Sequence, residues 1–350
     1  MKKIGVALIG LGPGSQPHVA SLFDLRDQID VRWALCRDTS RADLGPLAGM
    51  VTPSTDMQAA LSDPLVDVVI VATPAATHLD IARKSLDAGK HTLVEKPLEV
   101  SLQRAEILTA HAKTSGRCFG VVLQHRFRPG ARRLRECMES SVLGALQAAS
   151  VRVPWWRSQS GYYDHAGRGT LARDGGGVLL TQAIHAIDLF RSLVGVRSVE
   201  AAQVRTTAIH TMETEDYASA LVTLGNGAPG SIMATTAWYP GHAESIELIF
   251  SHATALLAGG RLDIHFHDGR LESVEAEGKS GSGDSIMDFS PEAHKALIQD
   301  FLDAVRQGRQ PLVTGEEALL THQLIDDIIA AGTGRRHSDT SFSIKKGDTL

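Results

Sequence analysis

Residues 4–18 read IGVALIGLGPGSQPH, and this stretch decides the fold of the first part of the chain. Its first six residues are mostly aliphatic, which is typical of a buried parallel strand. The glycine-rich loop that follows fits the dinucleotide-binding pattern G-x-G-x-x-G/A, with Gly10 at the tight turn and Gly12 where a pyrophosphate approaches the backbone. Ser15 fills the third position, directly after Gly14, and opens a helix whose N-terminus can bind an anion. Alone, such a loop is a weak indication of a nucleotide site.

The segments after this loop alternate between strand and helix. Strands are predicted at residues 31–35 and 66–72, with a short helix at residues 57–61 between them. A longer helix at residues 77–89 leads to another strand at residues 92–95. This β-α-β-α-β order predicts a doubly wound domain, with an open parallel sheet between two layers of helices.

The strand at residues 92–95 ends in Glu95-Lys96-Pro97, so that a lysine stands at the carboxyl end of a strand. In open α/β sheets, ligands bind along that edge. A lysine there can donate to a substrate oxygen or exchange a proton with it. The alternative interpretation is a solvated surface lysine, and the triplet alone does not decide between the two.

Composition is that of an ordinary globular protein. With 350 residues, of which 43% are hydrophobic and 21% are charged, the chain is long enough for two domains. A formal net charge of −5 disfavours a nucleic-acid-binding protein. The apolar run that begins at Ile4 breaks after about eight residues at Gly12-Pro13, so neither a signal peptide nor a membrane span is expected.

Cysteine and histidine spacing argues against disulfides and metal sites. The three cysteines form no CxxC motif and no even framework: Cys36, Cys118 and Cys137. Reduced thiols in a cytoplasmic protein are therefore expected. The spacing of His18 and His78 matches no metal-binding pattern, so local hydrogen bonds are the favoured interpretation and no metal is expected.

Beyond residue 122 the pattern changes to a succession of strands. Strand-like runs are predicted at residues 148–153, 199–206, 217–224, 231–237, 245–250, 254–257 and 261–266. Asn226-Gly227, between two of these runs, is a type I′ hairpin signal. The sequence therefore predicts a dinucleotide-binding domain at residues 1–122, followed at residues 123–350 by an α+β domain with a large, mainly antiparallel sheet.

Both faces of this predicted sheet contain apolar positions. In the run at residues 217–224 every second residue is aliphatic: Ala218, Ala220, Val222 and Leu224. Tyr217 and Leu221 keep the opposite face partly apolar. Because helices can cover one face and a second subunit the other, we expect a homo-oligomer, either a dimer or a tetramer.

Half of the tryptophans and half of the tyrosines lie in one loop-like segment: Trp155, Trp156, Tyr162 and Tyr163. Aromatic faces suit the C–H faces of sugars or other alicyclic rings, and arginines suit hydroxyls or carboxylates. The candidate substrate ligands are Trp156, Arg157, Tyr163 and Arg168. The alternative is that these aromatics fasten a long loop onto the sheet, and both interpretations can hold.

Gly175-Gly176-Gly177 opens a predicted helix at residues 178–194. Residues four apart share a helix face, so Thr181 can contact His185. Asp188, one turn further along, fits the role of a helix-packing acid better than that of a partner for this histidine.

The residues after the second strand bear on the choice of dinucleotide. NAD-specific domains place an acid about 20 residues past the glycine loop, where it accepts hydrogen bonds from the ribose hydroxyls. Counting from Ser15 reaches Cys36, which cannot do this, whereas Arg37 can bind a 2′-phosphate with Arg41 as a second positive charge. Asp38 lies close enough to serve as the acid instead. The sequence therefore favours NADP and leaves NAD open.

Several motifs recur together along nearly the whole chain. They are Gly10-x-Gly12-x-x-Ser15-x-x-His18, Ala72-Thr73-Pro74 with Thr77-His78, Ala88-Gly89-Lys90-His91, Glu95-Lys96-Pro97, Gln124-His125-Arg126-Phe127, Gly175-Gly176-Gly177, His185-Ala186-Ile187-Asp188 and Asp300-Phe301-Leu302-Asp303-Ala304. In this combination the chain resembles the glucose-fructose oxidoreductase / inositol dehydrogenase family, Gfo/Idh/MocA. The resemblance implies a Rossmann domain followed by a substrate domain with a large sheet.

The resemblance also implies roles for individual residues. It places in the cofactor pocket, beside the glycine loop, Thr73, Pro74, His78, Glu95 and Lys96. It places in the substrate site Arg126, Thr181 and His185. In the family the histidine is commonly the proton acceptor, and an aspartate four residues earlier often orients it. Thr181 can hydrogen-bond a ring nitrogen but cannot stabilise an imidazolium by charge.

The sequence thus predicts an NAD(P)-dependent oxidoreductase for a sugar, inositol, sugar acid or cyclic diol and the corresponding ketone. His185 is the first candidate for proton transfer, and Lys96 would polarise the oxygen or act as the acid–base itself. Two other functions stay open. A dinucleotide-binding regulator without turnover would not need Lys96 and His185 in one pocket, and NAD-dependent glycoside hydrolysis would need a histidine-rich loop that we do not find.

Overall fold

The computed structural model describes residues 2–277 and 290–334, which group into two compact units. The first unit contains residues 2–123 and 291–320. The second contains residues 124–277, Ser290 and residues 321–334. Residues 291–320, which the sequence-based division at residue 122 leaves with the second domain, thus belong to the first unit.

The described part of the first unit contains one parallel sheet. Its strands are β1 (Ile4–Ile9), β2 (Ile29–Leu35), β3 (Pro53–Ser54), β4 (Val68–Val71), β5 (His91–Val94) and β6 (Phe119–Val121). They pair in the order β3-β2-β1-β4-β5-β6, which confirms the predicted doubly wound domain. The order reverses between β1 and β4, and in such sheets ligands bind outside the carboxyl ends of the strands at that point.

Side-chain hydrogen bonds fix where two of the helices between these strands begin. They are α1 (Gln16–Asp24), α2 (Met57–Ser62), α3 (His78–Asp87) and α4 (Leu102–Ser115). Ser101 Oγ accepts the Arg104 N–H at the start of α4, a standard N-cap. The buried carboxylate of Glu99 accepts the Leu79 N–H at the start of α3. Glu99 therefore ties the loop after β5 to the helix after β4.

The second unit contains one large sheet. Its strands are β7 (Leu146–Pro154), β8 (Val196–Arg205), β9 (Tyr217–Leu224), β10 (Pro229–Thr235), β11 (Ser245–Phe250), β12 (Ala253–Ala258), β13 (Arg261–Phe266) and β14 (Leu271–Val274). They pair in the order β14-β13-β12-β11-β7-β10-β9-β8. Among these pairs β7 and β10 run parallel and the others antiparallel, so the predicted, mainly antiparallel sheet is confirmed.

Helices cover one face of this sheet. They are α5 (Pro129–Glu139), α7 (Val178–Thr181) and α8 (Ile184–Val194), and a further short helix, α6 (Leu171–Asp174), precedes α7. Helix α5 packs against β12, β13 and β14. Helix α7 packs against β9 and β10, and α8 packs against β7 and β11. The predicted inner positions Ala218, Ala220, Val222 and Leu224 are all buried on this side.

The opposite face of the second sheet has a mixed character. Neighbouring strands align one row of side chains across it: Leu221, Ser231, Ser150, Glu247 and Leu256. Leu221 is 60% exposed and Leu256 is 36% exposed, with the charged Glu247 between them. The face is therefore partly apolar, as expected, but it is not a continuous apolar surface.

Within the described ranges, no single helix has the length and apolarity needed to cross a membrane. The segments Leu171–Thr181 and Ile184–Val194 reach that composition together, as a pair bent by 51°. Ile187 and Phe190 of this pair are fully buried.

Two further helices complete the described chain, α9 (Glu292–Gln307) and α10 (Gly315–Thr333). Helix α9 packs against α1, and Arg306 Nη1 donates to the side chain of Gln28. The Val121 N–H donates to the Val313 carbonyl at the edge of the parallel sheet. These contacts explain why residues 291–320 belong to the first unit.

Candidate active site

The glycine loop of the first unit has the geometry that a dinucleotide requires. Gly10 has a φ of 106°, and an added Cβ would lie 2.5 Å from the Ala72 carbonyl oxygen, so only glycine fits this turn. Gly12 and Gly14 are exposed, and a Cβ on either would meet no other atom of the described residues within 4 Å. Ser15 is buried and its Oγ donates to the Gly12 carbonyl at 2.8 Å, which closes the loop before α1.

The start of α1 is also suited to an anion. Among the described residues, no side chain caps its N-terminus. The backbone N–H groups and the helix dipole at this end favour a pyrophosphate beside the open faces of Gly12 and Gly14. The predicted residues therefore fit the phosphate portion of a dinucleotide.

Both candidate ribose ligands stand exposed after β2. Asp38 Oδ1 accepts hydrogen bonds from the Ser40 hydroxyl at 2.6 Å and the Ser40 N–H at 3.0 Å. These bonds lower the pKa of Asp38 and fix the orientation of its carboxylate. Arg37 and Arg41 are exposed beside it. The structure thus presents one oriented anion and two cations at the position where the sequence predicts recognition of the ribose.

His78 joins the carboxyl ends of β4 and β5. Its Nε2 lies 2.8 Å from the Thr73 carbonyl oxygen and its Nδ1 lies 2.9 Å from the Pro97 carbonyl oxygen. The side chain is fully buried, so these contacts shape the loops from within. Thr73 Oγ1 lies 2.8 Å from Thr77 Oγ1, and Pro74 is exposed at the same edge. Direct contact of these residues with a cofactor stays a prediction.

Glu95 links the end of β5 to α1. Its Oε1 lies 2.7 Å from Nε2 of the buried His18, and its Oε2 accepts the Lys96 N–H at 2.9 Å. Burial raises the pKa of Glu95, but the hydrogen bond and charge of His18, with contributions from His294 and Lys96, outweigh burial and hold the pKa below its ordinary value. Lys96 itself is half-buried at the carboxyl end of β5, followed by a cis bond to Pro97. His18 and His78 are thus both hydrogen-bonded, as expected, but the partner of His18 lies 77 positions away in the sequence and is not local.

The predicted continuous helix at residues 178–194 is wrong. Helix α7 ends at Thr181 and α8 begins at Ile184. Thr181 Oγ1 donates to the Gly177 carbonyl at 2.7 Å, a bond to its own helix. Gln182 sits at the break, held by a bond from Arg157 Nε at 3.2 Å and a bond to the Tyr162 hydroxyl at 2.6 Å. The helical spacing of four therefore does not by itself place Thr181 against His185.

His185 lies near the start of α8, stacked on another imidazole. Its ring centroid is 4.9 Å from that of His125, with 28° between the ring planes. Both rings are buried, His185 with 8% and His125 with 5% of its surface exposed. The sequence placed His125 in a motif but gave it no role, because residues 60 positions apart show no sequence signal of contact.

Asp188 and Arg126 form a buried ion pair in the second unit. Arg126 Nε and Nη2 donate to the two oxygens of Asp188 at 2.7 and 2.6 Å. Thr321 Oγ1 adds a bond to Asp188 Oδ1 at 2.8 Å. The helix-packing role of Asp188 is as expected. The bonds of Arg126 to Asp188 give it a part in holding α8, and its expected contact with substrate stays a prediction.

The aromatic segment is fastened to the second unit by buried polar contacts. Arg157 is 2% exposed, and Tyr163 Oη lies 2.7 Å from Thr236 Oγ1. Arg168 stacks over the Tyr162 ring at 4.9 Å. Trp156 is half-buried, with its ring edge-on to Tyr239 at 5.3 Å. The fastening role is thus observed, and substrate recognition by Trp156, Arg157, Tyr163 and Arg168 stays a prediction.

His210 and Asp216 connect a second loop to this segment. His210 Nδ1 lies 2.8 Å from Asp216 Oδ2, and His210 Nε2 lies 2.7 Å from the Arg157 carbonyl oxygen. Burial raises the pKa of Asp216, but hydrogen bonds from His210 and Thr207 outweigh it and the net pKa is lowered. Sequence reasoning missed this pair, since neither residue lies in a recognisable motif.

Glu215 was also missed, although it explains why residue 177 is a glycine. An added Cβ on Gly177 would lie 1.9 Å from the Glu215 carbonyl oxygen. The Glu215 carboxylate accepts the N–H groups of Gly177 and Leu179, both at 3.1 Å, at the start of α7. Burial, with the adjacent Asp216 charge, raises the pKa of Glu215 to about 7 against the opposing effect of these bonds.

Comparison with known proteins shows matches over most of the chain. The Gfo/Idh/MocA profile described as an oxidoreductase family with an NAD-binding Rossmann fold matches residues 4–123. The C-terminal domain of the same family matches residues 131–256. Both units are thus represented in the matches.

Individual relatives cover nearly the full length. The scyllo-inositol 2-dehydrogenase (NAD(+)) of Bacillus subtilis strain 168 is 25% identical over 85% of this chain and 83% of its own length. D-apiose dehydrogenase of Paraburkholderia graminis is 24% identical over 96% of this chain and 89% of its own. The crystal structure of an oxidoreductase domain protein from Kribbella flavida covers 96% of this chain and 98% of its own with a TM-score of 0.84. Its identity is 19%, so this likeness shows the fold.

The raised pKa of Glu215 predicts a pH-dependent stability. The unfolded chain releases this proton near the ordinary value of 4.5, whereas the folded chain keeps it to about pH 7. Since the folded state binds more protons between these values, the stability that Glu215 contributes is fully present below pH 4.5 and is lost as the pH rises through 7. The urea midpoint of wild type should therefore fall relative to that of Glu215→Gln, which carries no titrating group at this position, as the pH rises from about 5 to about 8.

The matched control for this measurement is Glu213→Gln, at an exposed carboxylate two residues away. Its midpoint should differ from that of wild type by the same amount at every pH. A constant gap for Glu215→Gln as well would contradict the prediction.

Proposed function

Because the chain belongs to the Gfo/Idh/MocA family of oxidoreductases, we propose that it interconverts a secondary alcohol and its ketone in a polyhydroxylated or cyclic substrate. The observation that carries the proposal is the first unit's site, where an open glycine loop and Lys96 both stand at the carboxyl edge of the parallel sheet. The substrate class is supported by relatives named for scyllo-inositol and D-apiose. The cytoplasmic location expected from the cysteines stays a prediction.

The bound nicotinamide would supply the acceptor or donor of the hydride. The chain must then hold the carbinol carbon and move one proton. In the direction of oxidation, the Lys96 ammonium would donate to the substrate oxygen and lower the pKa of the alcohol. His185 would accept the hydroxyl proton. Glu95, kept ionised by His18, holds a negative charge next to Lys96 and fixes the backbone at that residue.

Because residue 181 is a threonine, a second assignment of the proton acceptor stays open. Its hydroxyl proton is used in the bond to the Gly177 carbonyl, so it cannot be donated to His185 at the same time. A hydroxyl also cannot stabilise an imidazolium by charge. If His185 is poorly oriented, Lys96 would act as the acid–base itself, and the effects of the two substitutions below distinguish these cases.

The aromatic segment supplies the surface for the substrate ring. Trp156 is half-buried and Tyr239 is 75% exposed, and their rings meet edge to face. Such rings can pack on the C–H face of a sugar or inositol. Arg168 is half-buried and stays accessible to solvent, whereas Arg157 and Tyr163 hold the segment in place through buried bonds.

For the cofactor, the sequence alone favours NADP through Arg37 and Arg41. The geometry of Asp38 supports NAD instead, because Ser40 fixes one carboxylate oxygen and leaves the other for the ribose hydroxyls. A fixed carboxylate also repels a 2′-phosphate. The relative from Bacillus subtilis is named as an NAD(+) enzyme. We therefore propose that Asp38 reads the ribose and that NAD is the preferred cofactor.

A homo-oligomer is proposed through the exposed face of the second sheet. Leu221 and Leu256 stay exposed there, and a face of this kind is commonly covered by a second copy. Ser150 and Ser231 keep the middle of the row small, so that two such faces can approach closely.

The assay for the proposed function is a panel of sugars, inositols, sugar acids and cyclic diols, tested with both cofactors and read through NAD(P)H absorbance. In this assay Lys96→Ala and His185→Ala should each lower kcat by roughly 10²-fold or more, because each removes a group that acts on the reacting oxygen. Dinucleotide binding, measured by calorimetry, should be retained. The control is Lys84→Ala, at an exposed lysine on α3. Near-normal turnover of both active-site variants would rule out the proposed site.

The cofactor proposal predicts how two substitutions change the ratio of kcat/KM for NAD and NADP. Asp38→Ala should shift the ratio toward NADP by about tenfold or more, since a hydrogen bond to a charged group is lost. Arg37→Ala should leave the ratio nearly unchanged. A wild type that prefers NADP, with that preference lost in Arg37→Ala, would show that Arg37 reads a 2′-phosphate.

The assembly proposal predicts a dimer or tetramer in sedimentation experiments at micromolar concentration. Leu221→Glu should dissociate it, because a carboxylate would be buried in the interface without a partner. The matched control, Ile107→Glu, changes an aliphatic residue that is 45% exposed on α4 of the first unit and should leave the assembly intact. A monomeric wild type would overturn this proposal.

A further inference from the structure

His210 packs against the aromatic segment of the second unit with an acceptor at each ring nitrogen. Its Nδ1 lies 2.8 Å from Asp216 Oδ2, and its Nε2 lies 2.7 Å from the Arg157 carbonyl oxygen. A backbone carbonyl only accepts hydrogen bonds, and so does an ionised carboxylate. A neutral imidazole carries one N–H group and can satisfy only one of two such oxygens. The state of Asp216 therefore decides how many protons the ring must carry.

Asp216 is ionised in this environment. Its side chain is fully buried, and burial raises its pKa, but hydrogen bonds from His210 and Thr207 outweigh burial and lower the pKa below its ordinary value. Thr207 donates its N–H to Oδ1 at 2.7 Å and its hydroxyl to Oδ2 at 2.6 Å. Both carboxylate oxygens thus accept hydrogen bonds, and neither holds a proton for Nδ1 of His210. Both ring nitrogens must then donate.

Aromatic rings keep water away from the pair of His210 and Asp216. The imidazole centroid lies 4.7 Å from that of Tyr163 and 6.0 Å from that of Trp156, and His210 is 6% exposed. Burial raises the pKa of Tyr163, so its hydroxyl stays neutral. In such surroundings a charge-assisted hydrogen bond is strengthened, and a ring nitrogen without a proton facing an oxygen is costly.

Glu215 and Arg157 bring further charged groups close to this pair. The Glu215 carboxyl group accepts N–H groups at the start of α7. Arg157 presents its carbonyl to His210, whereas its Nε donates to Gln182 and its Nη1 donates to the preceding carbonyl. The charge in direct contact with His210 is therefore that of Asp216.

His210 closes a ring of hydrogen bonds among the residues that follow β7 and β10 and the residue that precedes β9. The Thr236 N–H donates to the Asp216 carbonyl at 2.9 Å, and the Arg157 N–H donates to the Thr236 carbonyl at 2.9 Å. His210 then connects the Arg157 carbonyl back to the Asp216 side chain. Three parts of the chain are thus held at one point.

The proposed substrate surface is attached to this ring of hydrogen bonds. Trp156 directly precedes Arg157. Tyr239 lies three residues after Thr236, and its aromatic ring meets that of Trp156 at 5.3 Å. Of the four hydrogen bonds, one depends on the second imidazole proton, since a neutral His210 that donates to the carboxylate cannot also donate to the Arg157 carbonyl.

We infer that His210 is a positioning residue for the substrate: it carries a proton on each ring nitrogen and thereby holds Arg157, and with it the Trp156 ring, in place. This inference rests on the proposed function, in which Trp156 and Tyr239 pack on the substrate ring. His210 is buried, so it acts through Trp156 and does not touch the reacting atoms.

The first test is the ¹⁵N NMR spectrum of histidine-labelled protein at neutral pH, without cofactor. Both ring nitrogens of His210 should show the chemical shifts of protonated nitrogen, and they are assigned by their loss in His210→Gln. In Asp216→Asn, which keeps the size of the side chain and removes its charge, one nitrogen should lose its proton. A wild-type ring with a single protonated nitrogen overturns the inference, and this measurement needs no substrate.

The second test separates KM from kcat in alcohol oxidation. Glutamine at position 210 has one donor nitrogen where the imidazolium has two, so the Trp156 ring should be held less firmly. In His210→Gln the KM for the substrate should rise about tenfold, as for the loss of one buried hydrogen bond. Since contacts with the substrate ring are equal in the ground and transition states, kcat should stay within about twofold. The KM for the dinucleotide should not change. His252→Gln, the same change at an exposed histidine, should alter none of these values.

A double-mutant cycle shows whether His210 acts through Trp156. Trp156→Ala should raise the KM for the substrate at least as much as His210→Gln does, and the double variant should show no further rise. Multiplicative effects of the two substitutions overturn the inference. If His210→Gln does not fold, Asp216→Asn takes its place in the kinetics and in the cycle, with the same expected results.

Failure of this inference and failure of the proposed function give different results. An unchanged KM in Trp156→Ala would refute the proposed substrate surface, and the inference with it. A raised KM in Trp156→Ala together with a normal KM in His210→Gln would leave the proposed function intact and refute the positioning role of His210.

Discussion

A carboxylate that is largely shielded from water needs a partner, and the partner that Glu95 finds organises the first unit. Its bond to His18 spans 77 positions in the sequence and joins the end of β5 to the helix that follows the glycine loop. His294 of α9 meets the His18 ring edge-on at 5.6 Å, so a third segment joins the same cluster. One short hydrogen bond thus sets the position of the loop suited to a pyrophosphate relative to Lys96.

The second unit is held by buried polar groups that each connect a loop to a helix or strand. The main pairs are Arg126 with Asp188, Arg157 with Gln182, and His210 with Asp216. Such pairs contribute little net stability, but removing one partner leaves a buried charge or dipole without compensation. They specify one arrangement of the segments around His185 more than they add to the free energy of folding.

The sequence predicted most of the fold because its strongest signals are local. Continuous aliphatic runs indicated the parallel strands, and alternation with Asn226-Gly227 indicated β9 and β10. The break between α7 and α8 was missed because its cause is not local: Gln182 bonds to Arg157 and Tyr162, about 20 to 25 positions away. The stack of His125 on His185 and the bonds of Glu215 escaped for the same reason. At the candidate site, motifs indicated candidate residues, whereas the contacts that His78 and Arg126 make with other parts of the chain emerged only from the structure.

The path of the chain has a consequence for how such a protein can be divided. The described chain passes from the first unit to the second after Leu123, returns at Pro291 and crosses again within α10 after Leu320. Each unit is therefore made of sequence segments that are separated by parts of the other. A single cut cannot release either unit whole, and transplanting the second unit into a related protein would require matched joints at all three crossings. Recombination between relatives can therefore exchange a whole unit only if the two breakpoints fall near Leu123 and Pro291, far apart in the sequence, and if α10 is not cut.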